Sequence, residues 1–328
     1  MSLLYNGGHD IPAGSKPPLM LVFEEVIPVV LVALLGFGAR QSGVLTVNET
    51  DAIEKISLWY LLPCLLFVGT ATASFPTPMN WQFLGMFYLV VLFVYATGMA
   101  LGRILFSMTL LQLSVFGMGG AYANVTVLGI PVILQVLGQD AFIPMLVVIA
   151  IHNLVLFSVG TVLAEIPQNQ HFNPCMRLYG IARDVVTNPV SGSLLAGAVF
   201  NFSGLTLFGP LQATVELLGR AAIPGALLGL GAAMHRYRIK GELKTTFTMV
   251  AIKLLLLPLM MWTGMSLGGF SGLWADTAVL VSAMPVGISV YVFSRRYQCC
   301  EAVAASAIVL SSLLGTISIS AIAWLLVR

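Results

Sequence analysis

Apolar residues fill stretches of spanning length along nearly the whole chain, and short polar or basic clusters separate them. A helix needs about 20 such residues to cross a bilayer. The pattern predicts ten, near 21–39, 52–74, 81–102, 113–137, 141–164, 187–203, 211–235, 244–268, 275–294 and 302–326. The third and fourth are held apart only by Arg103, Ser107 and Gln112, and the sixth is short, with Pro189 near its start.

Composition sharpens the class. Hydrophobic residues make up 58% of the chain and charged residues 9%, against a usual charged share of about 25%. So few charges do not cover a water-soluble domain, and the expected fold class is an all-α polytopic membrane protein. Residues 1–18 read as a flexible tail without the basic start of a cleaved signal peptide, so the first apolar helix serves as an uncleaved signal.

The basic residues are sorted by side. Eleven of the fifteen (Arg40, Lys55, Arg103, Arg177, Arg183, Arg236, Arg238, Lys240, Lys244, Arg295 and Arg296) fall in alternate connections, and the intervening connections hold none. The positive-inside rule places the basic loops in the cytoplasm and both termini on the extracytoplasmic side. Ten spans divide into five and five, and an odd number per half requires the second half to enter from the opposite face. Traces of such an inverted repeat survive. Gly98–Gly102 (GMALG) matches Gly264–Gly268 (GMSLG), Pro63 pairs with Pro224, and Pro131 pairs with Pro285. The expected organisation is a first repeat over 19–164, a cytoplasmic connecting loop over 165–186, and a second repeat over 187–328.

Two spans carry what a plain membrane helix avoids. Residues 119–137 hold Asn124, Thr126, Gly129 and Pro131, and Ser282–Tyr291 holds Met284, Pro285, Gly287, Ser289 and Tyr291. A proline removes one helical hydrogen bond and clashes with the carbonyl one turn earlier. In hydrocarbon the freed groups must find protein, water or substrate. Paired interruptions in corresponding places of two halves mark a transporter's binding site, expected where the two helices cross. Half-helix amino-terminal ends there favour an anion such as a carboxylate. Asn124 also fits an interhelical contact.

His152 and Asn153 stand midway along the fifth span. His152 suits a proton relay or a neutral ring bonded to backbone, and Asn153 is the better substrate contact of the two. Lys253, inside the eighth span, is read either as attracting an anion or as snorkelling to the cytoplasmic side. Arg220 is expected to pair with Glu216, one turn away. No Ser/His/Asp set, phosphate loop, metal-ligand spacing or nucleic-acid signature is visible, and the four cysteines are scattered. No acidic residue falls at the centre of a span, which argues against a cation antiporter built on paired carboxylates.

These motifs resemble the auxin efflux carrier family in its compact bacterial form. The family's Asn-Thr-x-x-x-Gly-Ile-Pro appears as Asn124 to Pro131, and its Met-Pro-x-Gly-x-Asn-x-Tyr as Met284 to Tyr291. Pro63 to Phe67, and His152-Asn153-Leu154 with Phe157, match further motifs. The resemblance covers all ten spans. It implies two inverted five-helix repeats with crossed, broken fourth and ninth helices, an architecture shared with bile-acid symporters and sodium/proton antiporters. The first two helices of each repeat form a scaffold, through which a homodimer is expected. It also implies transport of auxin-like acids or small carboxylates such as malonate, across a bacterial inner membrane. Asn124, Pro131, Asn153 and Pro285 match positions that surround substrate. Two departures stand out. The threonine is displaced to Thr126, and the second motif's asparagine is Ser289, which leaves room for a bulkier ligand.

The expected function is a secondary carrier for a small organic anion, working by alternating access. It is not an enzyme and has no cofactor, and coupling to Na+ or H+ is left open. The alternatives are a sodium- or proton-coupled symporter of the bile-acid type, a membrane ligand receptor and, third, a membrane-embedded enzyme.

Overall fold

A computed structural model of the chain describes residues 18–73, 80–166, 180, 183, 187–235 and 242–326. The amino-terminal tail, most of the 165–186 connection with Cys175 and Arg177, and the basic cluster of Arg236, Arg238 and Lys240 lie outside the described residues. The helices are α1 (Pro18–Gln41), α2 (Val47–Ala71), α3 (Trp81–Phe106), α4 (Leu110–Ala121), α5 (Val125–Leu137), α6 (Gln139–Glu165), α7 (Pro189–Phe202), α8 (Gly209–Met234), α9 (Leu243–Leu267), α10 (Leu273–Ser282), α11 (Ile288–Arg296) and α12 (Glu301–Leu326). Among the described residues there is no strand, only an isolated antiparallel bridge between Ala123 and Val286. Among the described residues six helices (α2, α3, α6, α8, α9 and α12) are long and apolar enough to cross a membrane. Shorter apolar helices accompany them, among them α4, α5, α7 and α10. Large apolar side chains such as Leu35, Trp81, Phe93, Phe202, Trp262 and Ile317 stand exposed on the outer surface, as a protein solvated by lipid tails requires.

Polar punctuation in the sequence becomes helix caps. Thr46 and Glu49 close a capping box at the start of α2, with Thr46 N donating to Glu49 Oε2 at 2.7 Å. Thr109 and Gln112 do the same for α4, whose first residue Leu110 precedes the expected start at 113. Asn201 donates to the carbonyls of Ala71 and Ala73, both at 2.9 Å, so the carbonyls left over at the end of α2 are partnered from α7. Helix packing is closest between α1 and α8. A Cβ on Gly36 would collide with the Leu228 carbonyl, and one on Gly231 with the Ala33 carbonyl. Small residues of this kind let two backbones touch where no hydrophobic effect drives association.

Three prolines share one local solution. Turns of i→i+5 type cover Ser57–Leu61, Val125–Gly129 and Ile252–Leu256, and each ends two residues before Pro63, Pro131 or Pro258. Proline has no N–H and its ring crowds the carbonyl one turn back. Widening the preceding turn relieves that contact and keeps the helix going. Pro131 therefore sits inside α5, in its second turn, and does not break the span.

The expected pairing of Arg220 with Glu216 is not formed. Glu216 accepts instead from Gln212 Nε2 at 2.9 Å, and Arg220 is exposed. Gln212, one turn on the other side, reaches the carboxylate, while the Arg220 side chain lies on the outer surface.

Candidate functional site

The break in the fourth span lies at Tyr122–Asn124, seven residues ahead of Pro131, and that in the ninth at Ala283–Gly287. The two gaps lie against each other. Asn124 N donates to Pro285 O at 2.9 Å, and Gly287 N donates to Tyr122 O at 3.1 Å, closing the bridge of Ala123 with Val286. The remaining backbone donors of the gaps are accounted for. Tyr122 N bonds Met118 O, Met284 N bonds Val281 O, Val286 N donates to Ser311 Oγ at 3.0 Å, and Ala123 N donates to His152 Nε2 at 3.4 Å. Unwound backbone at membrane depth persists only where protein or a cavity satisfies it in this way. Gly287 is required by the close approach, because a Cβ there would sit 2.5 Å from Tyr122 Cδ1 and 3.2 Å from Ala123 O.

A cavity of about 1040 Å³ opens onto this crossing. Its wall includes Tyr122, Asn124, Thr126, His152, Asn153, Gly287, Ser289 and Tyr291. Gly129, Pro131, Pro285 and Lys253 do not line it. Gly129 and Pro131 lie buried in α5, with Gly129 N donating to Asn124 O at 3.0 Å. Pro285 contributes its carbonyl, and a Cβ on Gly315 would stand 3.5 Å from its ring. The two prolines expected to flank substrate thus shape the backbone behind the wall.

Three buried polar atoms in the wall lack a partner: Asn124 Nδ2, His152 Nδ1 and Ser57 Oγ, on residues 6%, 3% and 2% exposed. His152 accepts the Ala123 N–H through Nε2, so its proton resides on Nδ1 and that nitrogen is a donor. All three atoms can donate a hydrogen, and the residues that carry them line the cavity. The same wall takes in two helix amino-termini, Val125–Val127 of α5, which Asn124 precedes, and Ile288–Ser289 of α11, whose first-turn N–H groups have no intrahelical acceptor. The partial positive charge at both ends has the sign that favours an anion.

Asn153 stands in the cavity wall and is also tied into the protein. Its Oδ1 accepts from the Tyr122 hydroxyl and its Nδ2 reaches Ser191 Oγ at 3.4 Å, so it ties α6 to the break and to α7. Tyr122, Ser191 and Ser57 were not singled out in the sequence. Tyr122 stands two residues from Asn124, and Ser191 follows the Asn188-Pro189 helix start, where Asn188 Oδ1 accepts from Val190 N at 3.0 Å. Lys253, fully buried, does not snorkel, and its Nζ donates to Ser282 O at 2.6 Å. The cavity mouth carries Arg183, Arg295 and Arg296, with Glu54. Among the described residues no group of three or more His, Cys, Asp or Glu comes together as a metal site.

Comparison with known proteins adds a family. The family model described as "Membrane transport protein" matches residues 21–173 and 178–323. A protein of Rhizobium meliloti (strain 1021) named "Putative malonate transporter" is 28% identical over 302 residues, covering 88% of this chain and 93% of the relative. An "Uncharacterized transporter" of Methanothermobacter thermautotrophicus is 22% identical over 302 residues, 90% of this chain and 95% of the relative.

Proposed function

We propose that this chain, which belongs to the membrane transport protein family, the auxin efflux carriers, is a secondary carrier for a short organic carboxylate. The observation that carries this reading is the set of unpartnered donors at Asn124, His152 and Ser57 beside two helix amino-termini in one cavity. Buried donors of this kind are satisfied by an acceptor-rich anion. In this reading one carboxylate sits at the crossing against Asn124 Nδ2, His152 Nδ1 and the N–H groups of Thr126 and Ser289. Malonate, named for the relative, is the first compound to test. Gly129, Pro131 and Pro285 act through the backbone, Asn153 orients Tyr122, and Tyr291 lines the approach.

The carrier works by alternating access. All described wall residues come from the crossing or from the side of Arg183, Arg295 and Arg296, so the cavity is open to one face. The basic-loop rule makes that face cytoplasmic, with both termini extracytoplasmic in a bacterial inner membrane. Two inverted five-helix repeats, 19–164 and 187–328 joined by 165–186, give the opposite state by exchange of roles. A homodimer through the scaffold helices α1, α2, α7 and α8 would hold one part still while the other moves.

The test is malonate uptake into proteoliposomes with Asn124→Asp. The substitution keeps size and replaces the free donors by an anion. The expected result is loss of uptake with normal thermal stability, and uptake at the wild-type rate would refute the site. Ligand binding without flux in the wild-type protein would favour a receptor instead.

A further inference from the structure

The charges of the cavity are sorted along its depth. Glu54, Arg183, Arg295 and Arg296 carry the full charges of its described wall, and all four belong to the mouth. Arg295 and Arg296 end α11, seven and eight residues from Ile288 at the crossing, or about 10–12 Å along the helix. Glu54 stands one turn before Ser57 on α2, so a negative charge already borders that side.

The crossing itself presents no full positive charge. Asn124 and the hydroxyls of Thr126 and Ser289 are neutral. His152 is held neutral by its geometry, since Nε2 accepts the Ala123 N–H and an imidazolium has no lone pair with which to do so. Tyr122 and Tyr291, the remaining titratable groups of the described wall, are phenols and never carry positive charge. Lys253 lies outside the wall, and its ammonium meets the Ser282 carbonyl at the negative end of the half-helix Leu273–Ser282. What remains is the amino-termini of α5 and α11, worth roughly half an elementary charge each. Together they match about one negative charge.

Malonate as the dianion bears two, on carboxyl groups joined through a single carbon. Groups so close share one end of the cavity, and the arginines lie at the other. A second full charge buried there without a counter-charge is strongly disfavoured, and a carboxyl so placed takes up a proton instead. We infer that the crossing accepts a single negative charge, so that a short dicarboxylic acid is bound and carried as its hydrogen monoanion. One carboxylate meets the donors. The second carboxyl keeps its proton and donates it in a hydrogen bond to a hydroxyl oxygen of the wall, since Thr126 and Ser289 accept as well as donate. The inference rests on the carboxylate reading above and specifies the ionic form of its substrate. Hydrogen malonate that crosses ionises in the new compartment and leaves its proton there. Transport is thereby coupled to protons with no titrating group on the protein.

The experiment compares three acids of similar length in proteoliposomes with the same pH on both sides. Malonate passes from monoanion to dianion over the range, monomethyl malonate stays a monoanion, and sulfoacetate is a dianion throughout. The cavity, at about 1040 Å³, has room for the ester's methyl group. The KM for total malonate is expected to rise about tenfold per pH unit above the second ionisation of malonic acid, as the monoanion fraction falls. Monomethyl malonate should hold its KM within about twofold over that range, and sulfoacetate should compete at least about tenfold more weakly than the ester. A pH-sensitive dye trapped inside should report a proton released with each malonate taken up. A malonate KM that stays flat or falls as pH rises overturns the inference, as does sulfoacetate competing as well as the ester. An ester whose KM climbs in parallel with that of malonate also overturns it, because a group on the protein is then titrating. Failure of all three acids to enter or compete at any pH would instead overturn the carboxylate reading, and this inference with it.

Discussion

Gly287→Ala tests the crossing at its tightest point. A Cβ at 287 would stand 2.5 and 2.7 Å from Tyr122 Cδ1 and Cε1, against the 3.5–4.0 Å or so at which carbon atoms rest. About 1 Å of room must therefore be found. The Tyr122 ring is not free to swing, since its hydroxyl is bonded to Asn153 and the ring packs on His152 at a centroid distance of 4.8 Å. The alternative is to part the two broken segments and lose the bond from Gly287 N to Tyr122 O. Overpacking costs about 1–3 kcal/mol and the lost hydrogen bond about 1 more, so roughly 2–4 kcal/mol in all. At about 2 °C per kcal/mol for a chain of this size, the melting temperature in detergent should fall by about 4–8 °C. Malonate affinity should fall with it, because the N–H groups at the start of α11 move away from Asn124. Tyr122→Ala removes the obstruction, so the cost of Gly287→Ala should shrink in that background, a coupling that a double-mutant cycle reads directly. Gly287→Ala with wild-type melting and affinity would refute the close-approach argument, and an undiminished cost beside Tyr122→Ala would refute its assignment to the ring.

Ser311→Ala strands the Val286 N–H, whose acceptor is Ser311 Oγ. It should cost about 1–3 kcal/mol, read as a lower melting temperature, while the exposed control Thr263→Ala should change it by less than about 1 °C. Arg295→Gln removes a charge from the cavity mouth and should raise the KM for malonate several-fold at low salt with kcat unchanged. The difference should close as salt rises, because the Debye length shrinks to about 3 Å at 1 M.

The places where sequence and structure part company have identifiable causes. Interruption of the fourth and ninth spans was legible because glycine, proline and small polar residues are conspicuous in an apolar run. The exact break was not. Pro131 drew attention, yet a widened turn absorbs it, and Tyr122–Asn124 unwinds because its backbone finds partners in Pro285–Gly287, some 160 residues away in the sequence. No local pattern encodes that pairing. Lys253 lacked an obvious partner because a search for its counter-charge looks among side chains, and its acceptor is the Ser282 carbonyl that Pro285 and Ser311 between them leave over. The start of α4 was readable, since Thr109 and Gln112 form a capping box signature three residues apart. Spacing of apolar residues alone missed it. Asn153 looked like a substrate contact because an amide in a membrane span is unusual; it stands in the cavity wall and also bonds Tyr122 and Ser191. Asn124, judged from sequence as either a contact between helices or a ligand, keeps its Nδ2 unpartnered at the cavity wall.

The central claim is that a carboxylate binds where the two broken helices cross. An electron cryo-microscopy structure of the wild-type protein with bromomalonate tests it most directly. The account predicts density within hydrogen-bond distance of Asn124 Nδ2 and the Ser289 backbone N–H. Ligand density confined to the arginines at the cavity mouth, with the crossing empty, would contradict it.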